Sequence, residues 1–264
     1  MTTVNVERIE PSIALIRLNR PERLNAMNFP LVGDLHDALD EVSRDPECKV
    51  AILTGAGRGF CAGLDLKDFG SPPGPGEHAH ARAGVDGQAF IANLTLHMRS
   101  TPQVIVAAVN GPAYGGGLSL ACAADVRIAA TGARFCSAFI RTGLTGTDVG
   151  ISYLLPRLVG ASRAFDLILS GREIDAVEAE RIGLVSQVVP GEEVLHHTLA
   201  YARVLAGYTR VGLMMTKEVL WHNLDTPSMA TAIALENRNQ MIAGGAPEVQ
   251  EFMRAYRRRT TGGS

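Results

Sequence analysis

Aromatic residues are scarce in this chain: they make up 5% of 264 residues, with Trp221 as the one tryptophan. Cysteine is sparse too, and Cys48, Cys61, Cys122 and Cys136 form no CxxC pair. They read as small buried residues in a reducing compartment, and a disulfide framework is excluded. Charge of one sign is missing as well. With 25 basic and 27 acidic residues the net charge is −2, too little to attract nucleic acid or a membrane surface. The longest clean apolar run, residues 104–109, is far too short to span a bilayer. Residues 1–10 show no basic segment followed by an apolar one. The expectation is a soluble cytoplasmic protein with no nucleic-acid or membrane partner.

What is abundant is glycine, with 28 residues, above the usual share of about 7%. Glycine marks positions of unusual dihedral angle or of close approach to the backbone. Hydrophobic residues at 46% against 20% charged exclude disorder as a description of the whole chain. The length suits one large domain, or a domain with an appendage.

Residues 4–9 and 13–18 read as two short strands. Leu31, Leu35, Ala38, Leu39 and Val42 recur at helical spacing and stop before Asp45 and Pro46. Residues 50–54, 104–109, 126–130 and 184–189 read as buried strands. Residues 69–87, rich in Pro, Gly and His, read as a mobile surface loop. Helices are predicted over 88–99, 118–124, 193–223, 227–242 and from Pro247 to about Arg259. Strand, glycine loop and helix recur in that order, which predicts an α/β core with a helical C-terminal part.

Two loops carry the chemistry. Residues 54–66 (TGAGRGFCAGLDL) and 110–119 (NGPAYGGGLS) each follow a buried strand. Free backbone N–H groups at such junctions can converge on a developing oxyanion. The alternative is that the glycines only make tight turns. A dinucleotide fingerprint fits poorly, because Phe60 stands where its third glycine belongs. No GKS or GKT follows either loop, so a phosphate-binding P-loop fails too.

Together the motifs at 18–27 (LNRPERLNAM), 60–66 (FCAGLDL), 106–117 (VAAVNGPAYGGG), 122–129 (CAADVRIA) and 183–185 (GLV) resemble the crotonase superfamily, the enoyl-CoA hydratases and isomerases. The resemblance implies an α/β fold: a ββα spiral core over residues 1–190 and a C-terminal helical region over 191–264. That region would build a homotrimer or a dimer of trimers. The implied substrate is an acyl-CoA thioester, with no metal and no cofactor beyond the coenzyme A of the substrate. Carried across by position, the oxyanion-hole amides are those of Leu64 and Gly116. Arg23, Leu24 and Ala26 would lie along the nucleotide, with Asp65 and Leu66 near the pantetheine.

The hydratases of that superfamily use two glutamates to hold and activate water. Here the corresponding positions are Ser119 and, at about the second, Phe139. A serine hydroxyl can orient water but is a poor base, and Phe139 can only shape a pocket. One carboxylate remains, Asp148, twelve residues before Gly160. That spacing resembles the working aspartate of some superfamily members. Asp148 is therefore the candidate general base and acid of an isomerisation, or the N-cap of a helix beginning near Val149. Hydration at a non-standard site and a weak acyl-CoA binder remain alternatives.

A remoter alternative is a hydrolase. Residues 117–121 (GLSLA) resemble a nucleophile elbow without its last glycine, with Ser119 as nucleophile and Asp148 and His196, His197 or His222 as partners. His78 and His80 could pair on a metal, although a solvated loop is the simpler reading. Met214, Met215, Met229 and Met241 read as core or subunit interface. Arg254, Arg257, Arg258 and Arg259 could reach coenzyme A phosphates or end a solvated helix.

Overall fold

The computed structural model describes residues 2–69 and 83–261. His78 and His80 lie outside these. Strands β1 (Val4–Glu10), β2 (Ile13–Leu18), β3 (Val50–Gly55), β4 (Val104–Val109), β6 (Val126–Ala130) and β9 (Gln187–Val189) form a sheet in the order β1-β2-β3-β4-β6-β9. β1 and β2 pair antiparallel; every later pairing in that sheet is parallel. A small second sheet joins β5 (Ala113–Tyr114), β7 (Arg134–Cys136) and β8 (Glu173–Asp175).

The central strands are buried on both faces, which explains their unbroken apolar runs. Ala14, Ile16, Ala51, Leu53, Ile105, Ala107 and Val109 pack into one apolar cluster. Their alternate neighbours Ile13, Leu15, Val50, Ile52, Val104, Val106 and Ala108 pack into another. This is the period of two that sends successive side chains to opposite faces.

Three helices cover the first face: α1 (Phe29–Arg44), α2 (Ala83–Ser100) and α3 (Gly116–Ala123). Asn28 caps α1 by accepting the Leu31 amide, and Pro30 sits in its first turn. Leu31, Val32, Leu35, Ala38, Leu39 and Val42 are its buried stripe, each large aliphatic contributing about 2 kcal/mol by burial. The opposite face is covered by α7 (Val194–Ala206), through Val194 and Ala202.

Helices α4 (Ile151–Val159), α5 (Ala161–Ser170) and α6 (Ala176–Arg181) precede β9. After α7 come α8 (Arg210–Asn223), α9 (Met229–Gly245) and α10 (Pro247–Thr261). The helix predicted over 193–223 is thus two helices, broken at Gly207, with Thr209 capping α8. The strand predicted over 184–189 shortens to Gln187–Val189, because the amides of Leu184 and Val185 turn back to the Ala179 carbonyl at the end of α6. Residues 83–87, expected in a loop, are the first turn of α2, and α3 starts two residues earlier than predicted.

A buried polar knot fastens α8 to the sheet. Lys217 Nζ lies 3.0 Å from Asp125 Oδ2 and donates to the Met98 and Gln103 carbonyls. The Trp221 indole donates to Asp125 Oδ1 at 2.6 Å, and the Ile105 amide to Oδ2 at 2.7 Å. The side chains of Asp125 and Lys217 are 12% and 5% exposed, so each charge depends on the other.

Candidate active site

Segments following β2, β3 and β4 meet beyond the carboxyl ends of those parallel strands, where ligands of open α/β sheets bind. Isolated parallel bridges join Met27 to Leu64 and Cys61 to Ala113. The Met27 amide donates to the Gly63 carbonyl at 2.7 Å, the Asp65 amide to Met27 at 2.8 Å, and the Tyr114 amide to Cys61 at 2.9 Å. This pattern uses the groups on either side of Leu64 and leaves the Leu64 amide out. Gly116 opens α3, so its amide has no intrahelical acceptor and shares the positive end of the helix. Among the described residues neither amide meets a protein acceptor.

The two loops touch. A Cβ on Gly63 would stand 2.7 Å from the Tyr114 carbonyl oxygen and 3.5 Å from the Gly116 nitrogen, at a φ of +89°. Gly117 is more constrained still, since a Cβ there would fall 2.1 Å from the Cys61 oxygen. The glycines at 55–59 serve another purpose. The Asn110 side-chain amide donates to the carbonyls of Gly55, Gly57 and Gly59, and that of Asn25 to Ala56 and Gly59. That run is a tight turn clamped by two asparagines.

A cleft of about 520 Å³ opens at this junction, lined by Leu64, Leu66, Gln88, Gly116, Phe139 and Asp148 among others. Its size suits a small-molecule ligand. Asp148 is the one ionisable side chain among the described lining residues. Its Oδ1 accepts the Val149 amide at 2.7 Å and the Gln88 side-chain amide at 2.5 Å. Val149 is buried with φ +48°, a conformation that costs a β-branched residue on the order of 1–3 kcal/mol. Asp148 is not a helix cap: α4 begins at Ile151 and its N-cap is Gly150.

Ser119 is fully buried in α3 and does not line the cleft; its hydroxyl lies 3.5 Å from the Asp148 carbonyl oxygen. A nucleophile elbow presents its serine at a strained strand-to-helix turn, whereas Ser119 sits inside the helix. His196 and His197 ride on α7, across the sheet from α3, and His197 pairs with Glu193. Among the described residues no histidine hydrogen-bonds Ser119. Burial pushes the Cys61 thiol up to about 12, which leaves it inert as a nucleophile.

Of the residues expected to touch substrate, Leu66 and Phe139 line the cleft, while Arg23, Leu24, Ala26 and Asp65 do not. Asp65 is buried against two arginines: Arg23 Nη2 lies 2.6 Å from Oδ1 and Arg20 Nη2 lies 3.1 Å from Oδ2. The Lys67 and Asp68 amides also donate to it. The hydrogen bond from Arg23 outweighs burial and holds the carboxyl at about 2. Leu24 and Asn25, at φ +51° and +56°, turn the chain between these arginines and the cleft. Sequence reasoning missed Gln88, Thr142, Leu144, Thr145 and Thr147 in the lining. Only the threonine and glycine content around Asp148 hinted that this stretch stays open.

Residues 8–261 match the family model described as enoyl-CoA hydratase/isomerase. The chain belongs to that family. It is 45% identical over 242 residues to a probable enoyl-CoA hydratase of Mycobacterium tuberculosis, covering 92% of this chain and 85% of the relative. Its fold is similar to that of a probable enoyl-CoA hydratase/isomerase from Mycobacterium abscessus, with TM-score 0.88 and 39% identity over 98% of this chain and 96% of the other. It is also similar to the structure of a monofunctional enoyl CoA isomerase from M. smegmatis, with TM-score 0.74 and 42% identity over 88% and 99% of the two chains. This chain is thus an enzyme of the enoyl-CoA hydratase/isomerase family.

Proposed function

We propose that this family member isomerises an enoyl-CoA thioester, with Asp148 carrying the proton. The observation behind this reading is that Asp148 is the single ionisable side chain among the described residues lining the cleft that also holds Leu64 and Gly116. With a 3-enoyl thioester, the Asp148 carboxylate takes a proton from the carbon next to the thioester carbonyl. The electron pair moves into an enolate whose oxygen accepts the Leu64 and Gly116 amides. One such donor is worth about 3 kcal/mol in the transition state. The Asp148 carboxyl, partly exposed and so open to exchange with solvent, then returns a proton to the far carbon of the dienolate, so the double bond moves one position and the carboxylate is restored. Leu66, Phe139 and Leu144 line the cleft with apolar surface, which suits an acyl chain.

Hydration calls for a second group to hold and activate water. Buried Ser119 and apolar Phe139 are poor candidates for it. The nucleotide of coenzyme A would run along the backbone of Arg23, Leu24 and Ala26, with Asp65 and Leu66 near the pantetheine. The ion pair commits the side chains of Arg23 and Asp65 to each other. A homotrimer or dimer of trimers is part of the proposal. The exposure of Leu220, Leu224, Met229, Ile233, Met241 and Ile242 on and between α8 and α9 supports it. A cytoplasmic location is likewise proposed; among the described residues no helix is long and apolar enough to cross a membrane.

The test is product analysis. With trans-3-hexenoyl-CoA the expected product is trans-2-hexenoyl-CoA. With trans-2-hexenoyl-CoA no 3-hydroxyhexanoyl-CoA should accumulate at a comparable rate. A dominant hydroxyacyl product would overturn the isomerase reading.

A further inference from the structure

We infer that Gln88 is the positioning residue for the proton carrier, an inference that rests on the proposed role of Asp148. Gln88 stands in the second turn of α2 and lines the cleft. Its side-chain amide donates to Asp148 Oδ1, the oxygen that also accepts the Val149 amide. Both donors recorded for this carboxylate therefore converge on one oxygen. Among the described residues no protein donor meets Oδ2. A carboxylate held in this way has one oxygen fixed and the other free to exchange a proton.

Two further features fit that task. The amide is neutral, so it orients the carboxylate without the ion pairing by which a cation would resist its protonation in mid-reaction. Its own placement is firm. Ile91, Leu94 and Met98 sink α2 into the core, and His36 of α1 ties to the Phe90 carbonyl at 3.1 Å and to His97 at 2.9 Å. On the other side, the left-handed Val149 fixes the backbone that carries Asp148. The carboxylate is thus clamped between a core-anchored helix and a strained turn sixty residues away in sequence. Such precision matters because a displacement of about 1 Å at a reacting group can cost about 100-fold in rate.

The experiment compares Gln88→Glu and Gln88→Met with the parent enzyme and with Asp148→Asn. It follows both double-bond migration in trans-3-hexenoyl-CoA and exchange of its Cα proton in D2O. Glu keeps the shape but sets a second carboxyl against Asp148, which resists full ionisation of the pair, and Met keeps the bulk alone. Both should lower kcat by about 10-fold or more, with KM within about threefold of the parent. Circular dichroism should report a folded protein in each case. Parent-like kcat in either Gln88 variant, or a loss confined to KM, would overturn the inference while an inactive Asp148→Asn left the role of Asp148 standing. Parent-like turnover by Asp148→Asn, or no exchange by the parent enzyme, would overturn both.

Discussion

Asp65 and Arg23 close a 2.6 Å ion pair across 42 residues of chain, one residue along from the Leu64 amide. Arg20 completes it: it reaches Asp65 with one nitrogen and donates to the Ala26 carbonyl with another. The 20–27 turn and the 61–66 loop are therefore one unit, and the Leu64 amide inherits its direction from that pairing. Asp65→Asn should destabilise the fold, because it leaves the buried Arg20 guanidinium and the partly exposed Arg23 guanidinium without the Asp65 carboxylate. The pH dependence follows from the direction of the shift. The folded carboxyl is held at about 2, below the unfolded value of about 3.9. Its contribution is full above about pH 4 and is lost as pH falls toward 2. Urea melts of the parent and Asp65→Asn should differ most at pH 5, and the gap should narrow through pH 3 and close only toward pH 2. A constant gap across that range would contradict this account.

Gly63→Ala tests the contact between the two loops. Its Cβ would press on the Tyr114 carbonyl at 2.7 Å from a left-handed backbone, so Leu64 and Gly116 must move apart. Loss of one oxyanion donor costs about 100-fold or more in kcat. The expected result is a loss of that size in a protein that still folds. Unchanged kcat would show that the geometry at Gly63 is not needed for turnover.

The Lys217–Asp125 pair makes a prediction about stability alone. Lys217→Met strands a buried carboxylate and should cost about 3 kcal/mol in urea unfolding. Adding Asp125→Asn should recover part of that loss, because the charge left behind is removed. An additive double variant would mean the two residues act independently.

The layout of the fold was legible where periodicity is strong. The run 13–18 read as a strand and its side chains alternate between two buried faces, and the spacing of Leu31, Leu35, Ala38, Leu39 and Val42 marked α1. The short strands β5, β7 and β8 were missed, because two or three residues cannot display a period. The break between α7 and α8 depends on Gly207 and the Thr209 cap, which a run of apolar residues on both sides obscures. At the site, glycine spacing marked the two loops, and the resemblance to the superfamily carried Leu64 and Gly116 across by position. The partners of Asp65 and Asp148 were not legible, since each arrives from 40 to 60 residues away through packing. For Ser119 the residue type suggested chemistry, while burial inside α3 keeps it from the cleft.

The most direct test of the central claim is proton transfer itself. Deuterium incorporation from D2O into trans-3-hexenoyl-CoA, followed by NMR at the α and γ carbons, should be catalysed by the parent enzyme. Asp148→Asn, which keeps the cleft shape, should slow it by at least about 100-fold. Equal incorporation by the parent and Asp148→Asn would contradict the assignment of Asp148 as the proton carrier.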